Sequence, residues 1–214
     1  MDKKNQFNPF ISILTKPKET ILKIVEKDPN YKLWLLSIIY GLVSILGFSQ
    51  SISIGYKYNF FLIVFVCLLL SIIWGYVAFS VSSFFVYITG KWLKGIASYK
   101  SIRASFAWSN VPMIINILIW IILLIIFQDK IFKDFPNNYI LSKFEMIVLF
   151  SSLFLQLIVS VYVIVLYINT IASVQNFSIL RSIFNIILSL VLAFLITLVI
   201  SFLFYIITKG IKTL

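Results

Sequence analysis

Long apolar runs alternate with short charged gaps from Leu33 to Ile207, and the charged residues fall within or at the edges of four such gaps. About 20 apolar residues cross a bilayer as a helix, and a chain in hydrocarbon must pair its backbone groups internally. The pattern therefore predicts five membrane-spanning helices, at 33–51, 60–88, 109–127, 145–173 and 183–207. At 1.5 Å per residue the shortest reach about 28 Å, just enough for the hydrocarbon core. The second and fourth, nearer about 44 Å, must tilt or project beyond it. The fourth is expected to end gradually, since Asn169, Thr170, Ser173, Gln175 and Asn176 dilute its last turns.

Before the first span, residues 1–32 form an interfacial head; residues 33–208 make the membrane domain and 209–214 a short tail. Thr15-Lys16-Pro17-Lys18-Glu19 reads as a helix start, with Thr15 as cap, Pro17 in the first turn and Glu19 at the positive dipole end. Ile21, Ile24 and Val25 share one face, Lys23 and Lys27 lie near the end, and Asp28-Pro29 stops the helix. Such an amphipathic helix can lie on the membrane with Phe7, Phe10, Ile11 and Leu14, or pack under the ends of the spans. The first apolar run is too long for a cleavable signal core of roughly 7–15 residues, so it reads as a retained span.

Composition agrees with this picture. Hydrophobic residues make up 61% of the chain and the mean hydropathy is +1.06, beyond the soluble range of roughly half apolar. The net charge of +11 comes from lysines flanking apolar spans, which points to anionic lipid headgroups rather than nucleic acid. Basic residues also set the orientation. Twelve of the 18 lie on the side of the head, the 89–108 loop and the 174–182 loop, against six on the other side. The amino terminus is thus expected in the cytoplasm and the carboxyl terminus outside. Cys67 is the one cysteine, so no intrachain disulfide forms.

The two arginines occupy matching patterns, Tyr99-x-x-Ile102-Arg103-x-x-Phe106 and Phe177-x-x-Leu180-Arg181-x-x-Phe184. Each follows a long span on the head side, as a parallel repeat of spans 2–3 and 4–5 requires. Each guanidinium either anchors the chain by charge or grips a lipid phosphate or partner through paired hydrogen bonds. Tyr99, Phe177, Lys91, Lys94 and Lys100 complete that candidate lipid- or partner-binding set, and Trp92 and Trp108 are expected in an interfacial belt. Ser71, Gly75, Ala78 and Ser82 form a small-residue stripe, with Ser37 and Gly41 a shorter one in the first span. Such a stripe serves helix contact within the fold or a homo-oligomer seam. Asn110, Pro112 and Asn116, with Ser151, Ser152, Gln156 and Ser160 of the fourth span, either bond between helices or line a polar path.

The chain has no histidine and no ionisable residue in the middle of any span, which argues against a proton relay or coupled pump. It carries no phosphate loop, metal-ligand cluster or serine elbow. No catalytic, cofactor or metal residue is assigned, and Asp129, Asp134 and Glu145 read as solvated loop charges.

Lys16-Pro17-Lys18-Glu19-Thr20, Tyr87-Ile88-Thr89-Gly90, Ser98-Tyr99-Lys100-Ser101-Ile102-Arg103, Ser109-Asn110-Val111-Pro112 and Gln175-Asn176-Phe177-Ser178-Ile179-Leu180-Arg181 follow in order. Together with the five spans, this pattern resembles the Yip family of membrane proteins, named for interaction with Ypt/Rab GTPases. The resemblance implies an all-α, five-helix membrane domain with a cytoplasmic amino terminus, often self-associating. In eukaryotic members it also implies vesicle traffic with Rab-type partners. Here the head is short and lacks those members' acidic-Leu-aromatic-Gly-Pro motif, and the Ile-, Lys-, Asn- and Phe-rich composition suggests a bacterial cytoplasmic membrane, so the GTPase partner is not carried over. For a eukaryotic chain the membrane would be that of the ER or Golgi. The expected function is non-enzymatic: organising membrane lipids or recruiting partners through basic cytoplasmic loops. The alternative is a passive transporter, channel or lipid-moving protein with a polar path between spans 3 and 4.

Overall fold

The computed structural model describes residues 8–133 and 140–212, with side chains as far as Lys209. Phe7, Lys3, Lys4 and Asp134, the side chain of Lys212 and the end of the tail lie outside the described residues. Among those described, every regular element is a helix: α1 (Pro9–Thr15), α2 (Pro17–Lys27), α3 (Leu33–Ser51), α4 (Phe60–Trp92), α5 (Tyr99–Ser109), α6 (Met113–Phe127), α7 (Lys143–Gln175) and α8 (Ile179–Lys212), with short 3-10 turns at Ile54–Tyr56 and Gln128–Phe132. Five are long and apolar enough to cross a membrane: α3, α4, α6 with its 3-10 extension to Phe132, α7 and α8. The chain is an all-α, multi-pass integral membrane protein.

Helices α4 and α7 are each 33 residues long, about 50 Å, and outrun a hydrocarbon core of about 30 Å. Their ends are chemically marked. Asn59 caps α4 by accepting from the Leu62 N–H at 2.8 Å, and Ser142 with Glu145 forms a capping box on α7. The fourth span does not fade as its polar content suggests. Asn169 donates to the Val165 carbonyl (2.8 Å) and Ser173 to that of Asn169 (3.1 Å), so these side chains satisfy themselves within the helix. Asn176, at φ 56°, then ends α7 sharply in the left-handed conformation.

The first two spans meet through small residues. Ser37 and Gly41 of α3 face Ser71 and Gly75 of α4, all buried. A Cβ on Gly75 would overlap the Ser37 carbonyl oxygen, and one on Gly41 would overlap that of Ser71. Glycine here allows backbone-to-backbone approach, the usual means of tightening helix pairs where lipid removes the hydrophobic drive. Ala78 and Ser82 stand off this seam, half-buried; Phe79 and Ser83 continue it instead.

At one end of the bundle the head folds over the projecting helices. Thr15 is the last residue of α1 rather than a cap; Lys16 precedes α2 without a side-chain cap bond, and Pro17 opens it. The Ser12 and Thr20 hydroxyls, 2.7 Å apart, tie α1 to α2. Ile13, Ile21 and Ile24 are buried among residues of α5 and α7, including Ile171 and Val174. The head is therefore docked on the spans, with Ile11 and Leu22 left exposed.

The expected 89–108 loop contains helix α5, which buries Ile102, Ala104, Ala107 and Trp108. Trp108 is 0% exposed, so its assignment to an interfacial belt is wrong. The indole packs 5.0 Å from the Phe10 ring and stacks 6.0 Å from Tyr31, under cover that the head supplies. Trp92 is 60% exposed. Phe106 connects α5 to the spans, lying edge-on to Phe79 of α4 (5.2 Å) and Tyr167 of α7 (5.1 Å). A proline-containing turn, Asn110-Val111-Pro112, separates α5 from α6, so the third span starts at Met113 instead of 109. Asn110 donates from Nδ2 to the Phe106 carbonyl at 2.7 Å, covering an acceptor left open at the break.

Helix α8 touches the bundle near its start alone. Ser182, Asn185 and Ser189 are buried, whereas no residue from Leu190 to Lys209 is. The fully buried positions thus form one small, polar stripe, with half-buried Ile183, Ile186 and Leu188 beside it.

Candidate functional site

The head end of the bundle combines a buried polar cluster with a basic rim. The cluster begins where α4 stops. Lys94 takes a left-handed conformation (φ 60°) and the Gly95 N–H returns to the Gly90 carbonyl at 2.8 Å. This closure leaves a slot between the two glycines, and the side-chain amide of Gln175, from the last turn of α7, fills it. A Cβ on Gly90 would overlap Gln175 Nε2, and one on Gly95 would overlap Oε1. Gln175 is 2% exposed and accepts from the Ala97 N–H at 3.2 Å, so it joins the end of α4 to the start of α5. Beside it, the Thr89 hydroxyl donates to Asn185 Oδ1 of α8 at 2.7 Å. Two stretches far apart in sequence, 89–97 and 175–185, therefore meet at one buried polar point.

Arg103 stands on the rim of this end. Its Nη1 donates to the Tyr76 hydroxyl and its Nη2 to Asn30 Oδ1, both at 3.0 Å. The guanidinium also lies over the Tyr76 and Tyr99 rings, at 5.4 and 5.5 Å. Trp34 stacks on the far side of this pair, 4.4 Å from Tyr76. Stacked and held to two oxygens, the fork has a fixed direction. These oxygens are uncharged, so the partners do not neutralise the cation. Its Nε is buried without a hydrogen-bond partner among the described residues.

Arg181 has a different setting. It is exposed and lies over the Phe177 ring at 4.9 Å, as Arg103 lies over Tyr99. Beyond that shared stacking on the aromatic residue four positions earlier, the copies diverge. Ile102 is buried, but Leu180 is 79% exposed. The single head covers one copy alone. Where the first has Pro112 the second has Leu190, so α8 continues unbroken where α5 and α6 are separate.

The remaining basic residues ring this end. Lys91 is exposed, donates to the Gly95 carbonyl at 3.3 Å and lies over the Tyr87 ring at 5.4 Å; Lys94 and Lys100 are exposed beside it. Several of the polar residues proposed for a path bond within their own helices. Asn116 is buried and donates to the Met113 sulfur at 3.2 Å, Ser160 donates to the carbonyl of half-buried Gln156 at 2.8 Å, and Ser151 bonds back to Ile147. Asp129 pairs with Lys133. Among the described residues no group of His, Cys, Asp and Glu is placed to hold a metal ion.

Gly95, Asn185, Asn30 and Tyr76 carry no local signal that singles them out. Thr89-Gly90 and Gln175 do stand in the segments that carry the family resemblance, though their meeting is a tertiary fact. No curated protein and no solved structure matches the chain. The family model for the Yip1 domain matches residues 11–201, nearly the whole chain, and this protein belongs to the Yip1 domain family.

Proposed function

We propose that this Yip1 domain protein is a non-enzymatic membrane protein that gathers anionic lipid headgroups at its basic head-end rim. The observation that carries the reading is the Arg103 guanidinium. It is aimed by Tyr76, Tyr99 and Asn30, and none of these offers a negative charge. A lipid phosphate would supply one, and charge-assisted bonds to phosphate are about twice as strong as neutral ones. Lys91, Lys94, Lys100 and Arg181 add attraction of about 1 kcal/mol each near an anionic surface. The twofold bias of basic residues supports a cytoplasmic head and an outward carboxyl end, and the composition supports a bacterial cytoplasmic membrane. A proton relay or acid–base mechanism draws no support from spans free of central ionisable groups.

The test uses the full chain in nanodiscs containing phosphatidylcholine and a minor fraction of spin-labelled phosphatidylglycerol. Tryptophan quenching reports local enrichment of the labelled lipid. Arg181→Gln, at an exposed position, and its combination with Arg103→Gln are expected to lower enrichment stepwise, while high salt lowers it in the unmodified protein. Unchanged enrichment in the folded double variant would reject the lipid role.

A further inference from the structure

On the far end of the bundle, away from the head, α3 and α4 leave between them a groove of about 840 Å³. No other membrane-spanning helix lines it. Its walls include Phe48 of α3, Ile52 just past the end of that helix, and Leu62, Val66, Leu70 and Trp74 of α4. Between the two helices the polar groups are paired with each other: Trp74 Nε1 donates to Ser44 Oγ at 3.1 Å, and Ser49 Oγ meets Cys67 Sγ at 3.4 Å. Past Tyr58 at the mouth, a polar solute would find little to replace the bonds it left in water. Hydrocarbon would lose nothing and gain contact on several sides.

The dimensions suit one kind of occupant. Along α4 the lining runs from Leu62 to Val77, about 22 Å of helix. One leaflet supplies about half of a core of about 30 Å, so an acyl chain fits lengthwise with room to tilt. At the far-end mouth Tyr58 lines the groove, and the adjoining Lys57 is exposed. The connecting segment 52–59 contains no acidic residue. We infer that this groove retains one phospholipid of the far-end leaflet, with an acyl chain between α3 and α4 and its phosphate against Lys57. This site is separate from the head-end rim.

The full chain, reconstituted in phosphatidylglycerol and phosphatidylcholine vesicles doped with a phospholipid bearing a diazirine in its acyl chain, tests this on irradiation. Labelled peptides are expected to concentrate on 62–77 and 44–52, above the exposed lipid-facing stretch 153–158 of α7. Val66→Trp with Leu70→Trp fills the groove from half-open positions and should cut the groove label about tenfold, leaving the α7 label unchanged. Lys57→Gln should weaken labelling from an anionic donor more than from a zwitterionic one. Even labelling of all spans, groove labelling that survives filling, or a chain-to-chain adduct in place of a lipid adduct would overturn the inference.

Discussion

Thr89 of α4 donates its hydroxyl proton to the side-chain oxygen of Asn185 in α8, at 2.7 Å and out of reach of solvent. The other fully buried residues of α8 up to Lys209 are Ser182 and Ser189, whose hydroxyls donate to the Ser178 and Ile186 carbonyls. Half-buried Ile183, Ile186 and Leu188 pack around this hydrogen bond between Thr89 and Asn185, which ties the last span to α4.

Thr89→Val keeps the shape of the side chain and removes that bond. Interhelical hydrogen bonds in membranes average about 0.6 kcal/mol and reach about 1.7. A loss of about 1 kcal/mol is expected in reversible unfolding in mixed micelles. Thr197→Val serves as the control, since Thr197 bonds to the Ala193 carbonyl of its own helix and is exposed. Equal loss in both variants would show that the Thr89 bond does not hold α8.

Gly90→Ala is expected to destabilise by about 1–3 kcal/mol, because the added methyl displaces the Gln175 amide. Gln175→Ala should cost about as much by leaving the buried Ala97 N–H without its acceptor. The double variant removes the amide that the methyl would strike, so it should be more stable than the sum of the single effects implies. A coupling of about 0.5–3 kcal/mol in a double-mutant cycle measures the slot directly. Additive losses would mean that the amide does not occupy it.

Trp108→Ala should lower stability by about 3–5 kcal/mol, the cost of emptying a large core site. Trp92→Ala, at an exposed position, should stay within about 0.5 kcal/mol. Thermal unfolding of both variants in one detergent makes the comparison. Equal effects would return Trp108 to the interface.

The five spans were legible because they answer to a rule that depends on local composition alone. Hydrocarbon offers no partner for backbone groups, so about 20 uncharged apolar residues must become a helix wherever they lie in the chain. Ser71 and Gly75 were legible for a related reason: only small side chains allow two backbones to touch. Helix α5 was hidden by its own residues. Tyr99, Lys100, Ser101 and Arg103 have the polarity of a connecting loop, and their helix is buried because α4 and α7 pack against it while the head folds across it.

The two Arg motifs show the division most clearly. Their common sequence determined a common local act, each guanidinium lying over the aromatic ring four residues earlier. Which of them would be clamped was decided by tertiary structure, since Asn30 and Tyr76 come from segments far from Arg103 in the chain. The same holds where Gln175 enters between Gly90 and Gly95. Spacing within one helix fixes which side chains share a face, but only packing of several helices decides what that face meets.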